Sequence, residues 1–456
     1  MAAVIPTATT TNPKRRLAKS LDGFQARCTP ISMQMDLRSP VRRVAFAGLS
    51  FFFAAVYLTF AARAFWAAHL ATRPGESDIQ KSIRLEPSNS EYPAVLARNQ
   101  ALSLATLNDA VSNFKIAVKL NPYQSSYWLD LAGAYQLAGE TDHQAEAVQR
   151  AAAADPMTPH VAWQAANFFL LQGDVSKALP YFRTVLANDP DSTDSALQLC
   201  WRASGDANQI FDHALPQRPD LYLSFLRLLV AKQETAAANI AWDHLIALHQ
   251  PFPARPALPY FRLLLASEQV ASAMTAWRQL AQVDEQIRPY LPVSANLIVN
   301  GGFEEPLLNG GFDWWYEPNP NAKLAIDTTQ FYGGTRSLSV TFNGRNAPDA
   351  GITQLVPVKP NADYAFSAQS KTQDIDSASG PRFAIGDAYT LSPYAVTDDL
   401  LGSNPWHKQE ARFRTGPATN LIFVKITRQP PGPLIRGKLW VDDLRLIELS
   451  HAEAAH

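Results

Sequence analysis

Four prolines, Pro87, Pro122, Pro156 and Pro190, follow one another at spacings of 35, 34 and 34 residues, in the settings RLEPSNSEY, KLNPYQSSY, AADPMTPHV and ANDPDSTDS. A fixed period of this length means one supersecondary unit repeated, and such units stack because none can bury its apolar face alone. After Pro122, Trp128, Leu131, Ala132 and Tyr135 stand at helical spacing, Gly139 follows, and Val148 and Ala151 precede Pro156. Ala165, Ala166, Phe169, Gly173, Ala178, Phe182 and Val185 repeat the pattern before Pro190. Small residues let paired helices approach, and Tyr135, Phe169 and Phe182 fill the space between them. Gly139 and Gly173 admit the left-handed conformation that ends a helix, and each proline stops the second helix because it cannot donate the next hydrogen bond.

This pattern resembles the tetratricopeptide repeat, with its W-x-x-L-G-x-x-Y helix, its alanine-and-aromatic helix and its closing proline. The resemblance implies an all-α solenoid whose concave groove holds a partner protein or peptide. Residues 88–190 carry three units, the first degenerate, with Ala94 at the tryptophan position and Arg98 where a small residue is usual. Farther on, AANIAWDHL and ASAMTAWRQL place Trp242 and Trp277 35 residues apart. Two further degenerate pairs follow, so helical repeats are expected over 76–290.

Residues 44–62, VAFAGLSFFFAAVYLTFAA, contain no charge. A helix of this length matches the ~30 Å hydrocarbon core of a bilayer, and a single transmembrane helix is expected over 44–66. The 43 residues before it carry eight basic side chains against Asp22 and Asp36. The positive-inside rule therefore keeps residues 1–43, a basic and disordered tail, in the cytoplasm and exports the rest. The expected location is single-pass in the inner (plasma) membrane, with periplasmic or otherwise extracytoplasmic C-terminal domains. A cleaved signal peptide ending at Ala62-Arg63-Ala64 is the competing reading; the long preceding region and the long apolar run weigh against it. Cys28 and Cys200 then lie on opposite sides of the membrane, so no disulfide is expected. A net charge of −1 offers no concentrated basic surface for nucleic acid.

From residue 296 the helical period stops. Short β-type runs alternate with turns: NLIV, SLSVTF (337–342), ITQLVPV (352–358), DYAFSAQS (363–370), PRFAIG (381–386), HKQEARFRT (407–415), NLIFVKITR (420–428) and GKLWVDDLRLIEL (437–449). Eight short strands with period-two alternation predict a two-sheet sandwich over 296–449.

The stretch NLIVNGGFEEP resembles the N-L-I-x-N-G-x-F-E start of the jelly-roll carbohydrate-binding modules of the xylan- and glucan-binding families. GGFDWW, YGGTRSLSVTFNG, QLVPVKPNADYAFSAQSKT, PWHKQEARFRT and LWVDDLRL continue it in order. The resemblance implies a structural calcium held by Glu304 and Asp443 with carbonyls near Gly334 and Ser337, and hard oxygen donors without sulfur or imidazole suit that ion. It also implies an oligosaccharide or polysaccharide ligand. Sugar rings pack their apolar face on aromatic rings while hydroxyls seek planar polar groups; Trp314, Trp315, Tyr316, Tyr389 and Tyr394 are candidate faces, and Gln354, Arg382, Asp387 and Asn319 candidate hydrogen-bonding groups. One of Trp314 and Trp315 is expected in the core, and Trp406 matches a structural tryptophan of the family.

No catalytic residues are expected. Glycosidases need two carboxylates across a cleft, whereas Glu304-Glu305, Asp398-Asp399 and Asp442-Asp443 are adjacent pairs. Neighbouring side chains in a strand face opposite ways. No nucleophile elbow, zinc motif or phosphate loop appears. The expected function is a membrane-anchored extracytoplasmic adaptor, with a protein partner on the repeats and a glycan on the sandwich, in polysaccharide assembly, export or surface attachment. A protein scaffold whose sandwich binds no sugar is the alternative, and an accessory subunit of a glycoside hydrolase system a third reading.

Overall fold

The computed structural model describes residues 39–73, 75–430, 432 and 434–450; Cys28 and most of the basic tail lie outside the described residues. It divides into two compact units, one ending at Asn121 and one beginning at Pro122.

In the first unit, α1 (Pro40–Ala71) starts with Pro40 in the first turn, where a missing N–H costs nothing. Its 32 residues make it the one helix among those described that is long and apolar enough to cross a membrane. Phe51, Phe52, Phe53, Tyr57 and Phe60 are exposed around it, and apolar residues on every side are what a lipid-facing helix presents. Arg63 donates to the carbonyl of Leu85, 2.7 Å away, at the end of α2 (Glu76–Leu85). Helices α3 (Glu91–Gln100) and α4 (Leu107–Leu120) form the first repeat hairpin, with Ala94 fully buried at its tryptophan position.

The second unit opens with α5 (Ser125–Ala138) paired with α6 (Thr141–Ala154), and α7 (Pro159–Leu171) paired with α8 (Val175–Asn188). Tyr135, Phe169, Phe182, Ala132, Ala166 and Ala178 are all buried at the helix contacts. Gly139 and Gly173 end α5 and α7 with φ of 73° and 74°. There Glu140 N–H donates to Tyr135 O and Asp174 N–H to Phe169 O, closing the exposed carbonyls. Three more hairpins follow: α9 (Thr193–Ser204) with α10 (Ala207–His213), α11 (Pro219–Ala231) with α12 (Thr235–Ala247), and α13 (Leu258–Ala266) with α14 (Val270–Val283). This is one pair more than the two tryptophans suggested. The sequence repeat fades because Gln233 and Glu268 take the left-handed position in place of glycine, at φ of 60° and 59°. The closing bonds persist, Glu234 N–H to Leu229 O and Gln269 N–H to Leu264 O.

The remaining chain forms two five-stranded antiparallel sheets. The first has the order β1 (Trp314–Tyr316), β4 (Asp349–Pro357), β9 (Leu421–Thr427), β6 (Arg382–Asp387), β7 (Pro393–Val396). The second runs β2 (Ala322–Asp327), β3 (Ser337–Arg345), β10 (Ile435–Glu448), β5 (Asp363–Asp376), β8 (Gly402–Arg414). Between them lies one core that includes Phe303, Trp314, Phe342, Tyr364, Phe366 and Phe383.

NLIV, expected as the first strand, is not a ladder strand. It is pinned on one side by Leu297 N–H to Leu446 O and by the Asn296 amide to Leu444 O, and on the other by the Gln354 side chain. Side-chain amides take the place of a neighbouring strand here, and the segment bends at Ile298 and turns at Val299 and Asn300. Gly301 is required in the turn that follows, because a Cβ there would run into the carbonyl of Leu444.

Residues 307–313 bring the sandwich onto the last hairpin. A Cβ on Gly311 would collide with the Trp277 ring, and Gly311 has φ of 62°. Trp277, fully buried, packs edge-on against Phe261 and Phe312 and donates its indole N–H to Tyr290 O at 2.9 Å. Tyr290 in turn donates to Pro306 O at 2.6 Å. Repeat and sandwich thus share a core at this point.

Candidate functional site

Directly opposed residues on antiparallel strands share a face. Trp314, Gln354, Val424 and Ile385 form one such row across β1, β4, β9 and β6, and all four are buried. Trp315, Thr353, Lys425 and Ala384 form the next row, on the outer face. The choice left open between the adjacent tryptophans is thereby made: Trp314 packs beside Phe303 in the core, and Trp315 faces outward.

A cleft of about 730 Å³ opens over this outer face. Its sandwich wall includes Asn309, Trp315, Tyr316, Glu317, Thr353 and Tyr389; Arg262, Leu265 and Ala266 of α13 supply the other wall. Trp315 is oriented by its indole N–H, which donates to Gly311 O at 3.0 Å. Tyr389 donates its hydroxyl to Leu265 O at 2.9 Å, fixing the β6–β7 connection to the helix. Burial, aided by the charges of Glu268 and Asp387, pushes its phenol up to about 12, so it stays a neutral donor. Tyr316 is 36% exposed at the rim, its backbone N–H held by the side-chain oxygen of Asn309.

Of the expected sugar contacts, Trp315, Tyr316, Tyr389 and Asn319 line one cleft, and Gln354, Arg382, Asp387 and Tyr394 do not. Gln354 is fully buried on the inner face, where its side-chain oxygen accepts Val299 N–H at 3.1 Å and its NH₂ donates to Val299 O at 2.7 Å. Arg382 lies three strands across from Trp315, paired with Asp399 at 3.2 Å. Tyr394 stacks on Phe413, and its hydroxyl is engaged with Thr419 and with Gly416 N–H. Asp387 is nearly buried: burial alone would raise its pKa, but hydrogen bonds from Thr390, Thr419 and Tyr389 outweigh it and hold the carboxyl below its ordinary value. Asn319 lines the cleft with its amide spent on Asp349 O and Asn321 N–H.

Glu304 and Asp443 are each engaged with hydrogen-bond donors. Asp443 sits at φ of 47° and pairs with Arg445 at 2.9 Å. Its neighbour Asp442 is the inward residue, accepting Tyr332 N–H and Gly333 N–H; burial pushes its pKa up against these bonds. Glu304 accepts Thr335 N–H, Thr335 Oγ–H and Arg336 N–H at 2.7, 2.7 and 3.1 Å. The bonds from Thr335 lead in holding its pKa below the ordinary value. Glu304 thereby ties the first turn of the sandwich to the turn before β3. Among the described residues no group of three or more His, Cys, Asp or Glu side chains is placed to hold a metal. Cys200 is buried, which raises its thiol to about 12 and leaves it an unreactive core residue.

Residues 295–430 match the family model of a carbohydrate binding domain. Among solved structures, a family 16 carbohydrate binding module aligns at 22% identity over 34% of this chain and 100% of its own, with a TM-score of 0.25. MamA aligns at 17% identity over 39% and 94%, with a TM-score of 0.29. YrrB, a TPR protein with an unusual peptide-binding site, aligns at 12% identity over 46% and 94%, with a TM-score of 0.23. No curated protein matches the chain. The chain joins an array of paired helices to a two-sheet antiparallel sandwich, and the family match falls on the sandwich.

Arg262, Asn309, Glu317 and Thr353 were not singled out from the sequence. Thr353 had a signal, since alternation through ITQLV puts it opposite in sense to Gln354. Arg262 had none: it is an ordinary exposed helix position 53 residues before Trp315 in the chain.

Proposed function

We propose that this protein is a membrane-anchored extracytoplasmic adaptor whose sandwich binds a glycan and whose helical repeats hold a protein partner, in polysaccharide assembly, export or surface attachment. The observation that carries the glycan part is the cleft over the outer face of the first sheet, with Trp315, Tyr316 and Tyr389 at its walls. Its volume lies within the ~300–1,000 Å³ range of small-ligand sites. Rings presented beside hydrogen-bonding groups suit a pyranose, whose C–H face is apolar and whose rim is polar. The repeats supply the stacked-hairpin groove on which extended peptides lie, and α1 supplies the anchor. The role proposed for the cleft is binding. The test is calorimetric titration of the detergent-solubilised full chain with soluble arabinoxylan, mixed-linkage β-glucan and galactomannan. Saturable binding that Trp315→Ala removes is expected; a folded protein that binds none of them would sink the glycan reading.

A further inference from the structure

The cleft is not made by the sandwich alone. Arg262, on the exposed side of α13, places its guanidinium carbon over the Trp315 ring, 4.5 Å from the centroid. Such a contact is a cation–π interaction that holds the guanidinium at the ring. The Arg262 guanidinium nonetheless has no hydrogen bond or ion pair with any described residue, and neither has the Glu317 carboxylate or the Thr353 hydroxyl. Three polar groups with unspent hydrogen-bonding capacity thus line one aromatic-walled cleft. Its geometry is rigid, because Tyr389 is bonded to Leu265 one turn from Arg262, and Gly311 is seated on Trp277.

Resting on the glycan reading above, we infer that the binding site is composite, with Arg262 of the last helical repeat serving as a fixed donor fork for an uncharged glycan. Its guanidinium presents parallel N–H groups to vicinal hydroxyl oxygens, as it does to other paired acceptors. Glu317, on the sandwich side, accepts the hydroxyl protons, and Thr353 bonds from the floor. Trp315, covered on one face by Arg262, orients the fork. The sugar packs against the remaining aromatic wall of Tyr316 and Tyr389. The ligand is uncharged because the cleft offers no excess of positive charge: its charged lining is Arg262, Glu317 and Asp349, the last 3.6 Å from Lys425. A polyanionic chain would bring Glu317 and Asp349 against its carboxylates.

The full chain in detergent is titrated with the three neutral polysaccharides named above and with polygalacturonate and alginate. Arg262→Ala is expected to weaken neutral-glycan binding by about 10-fold or more, the loss of hydrogen bonds from a charged donor, with the melting temperature unchanged. Arg262→Lys, which keeps the charge and loses the fork, is expected to recover only part of the affinity. Raising sodium chloride from about 0.1 to 0.5 M is expected to change the wild-type affinity by less than about 2-fold, since long-range attraction is what salt screens. Equal or tighter binding by Arg262→Ala, with Trp315→Ala inactive, overturns the composite site and leaves the glycan reading standing. Preference for polygalacturonate or alginate overturns the uncharged ligand. No binding by wild type or by Arg262→Ala overturns both readings together.

Discussion

Replacing Gln354 by leucine separates a structural role from a ligand contact, because leucine keeps the volume and removes both hydrogen bonds. The side chain is fully buried, and its amide is the partner of both the N–H and the C=O of Val299. In the variant those two backbone groups are left buried and unpaired, at about 1–3 kcal/mol each, so the cost is about 2–6 kcal/mol. That is a large share of the ~5–15 kcal/mol that holds a domain together. At ~2–4 °C per kcal/mol for a domain of this size, the sandwich should melt about 10 °C lower. The helices dominate any bulk optical signal, and a multidomain chain is not two-state. The assay is therefore amide hydrogen exchange resolved by peptide: faster exchange is expected over 297–303, while the helices are unchanged. Glycan affinity, measured well below the transition, should stay within about 2-fold, because Gln354 lies on the face opposite the cleft. Unchanged exchange and melting with lost glycan binding would refute this and restore Gln354 as a ligand contact.

Asp313, buried in the loop that docks on the last hairpin, has its pKa raised by burial to about 7. A folded value above the unfolded ~3.9 means its contribution to stability is fully present below that lower value and is lost as pH rises through about 7. Urea midpoints should fall between pH 5 and 8 in the wild type and fall less in Asp313→Asn, which keeps the acceptor for Leu308 N–H; equal slopes would contradict the assignment. Glu304→Ala, which releases the turn at Thr335 and Arg336, should cost about 1–2 kcal/mol, equally in EDTA and in excess calcium. A calcium-dependent rise in melting temperature that this variant abolishes would reinstate a metal there. Protease added to intact spheroplasts should digest the sandwich if the chain is anchored with its tail in the cytoplasm, and protection of the sandwich would reverse that orientation.

Much of the fold was legible because it is written in local chemistry. The proline period, the small-residue positions and the glycines at 139 and 173 each answer to a constraint inside one hairpin. Legibility faded where a different residue met the same constraint: Gln233 and Glu268 hold the left-handed turn without glycine, so the last two hairpins read as degenerate; the extra hairpin, α9–α10, keeps Gly205 at that turn, with φ of 62°. Strands β1, β2 and β7 were missed because three to six residues show too little alternation. The site was half legible. Aromatic character is visible in a sequence, but whether a ring or an amide is free depends on what faces it: Gln354 has the composition of a ligand contact and the partners of a staple.

By itself the sequence determined that a helical array precedes a jelly roll and that an apolar helix stands near the start, since periodicity, turn chemistry and apolar length act within tens of residues. Only the tertiary structure decided which aromatic faces outward, that Asp442 rather than Asp443 turns inward, and that Arg262 reaches the cleft. The reason is that these outcomes depend on contacts between segments far apart in the chain. Gly311 packs against Trp277 and Arg262 stands over Trp315, contacts between the last hairpin and the sandwich that no local pattern encodes.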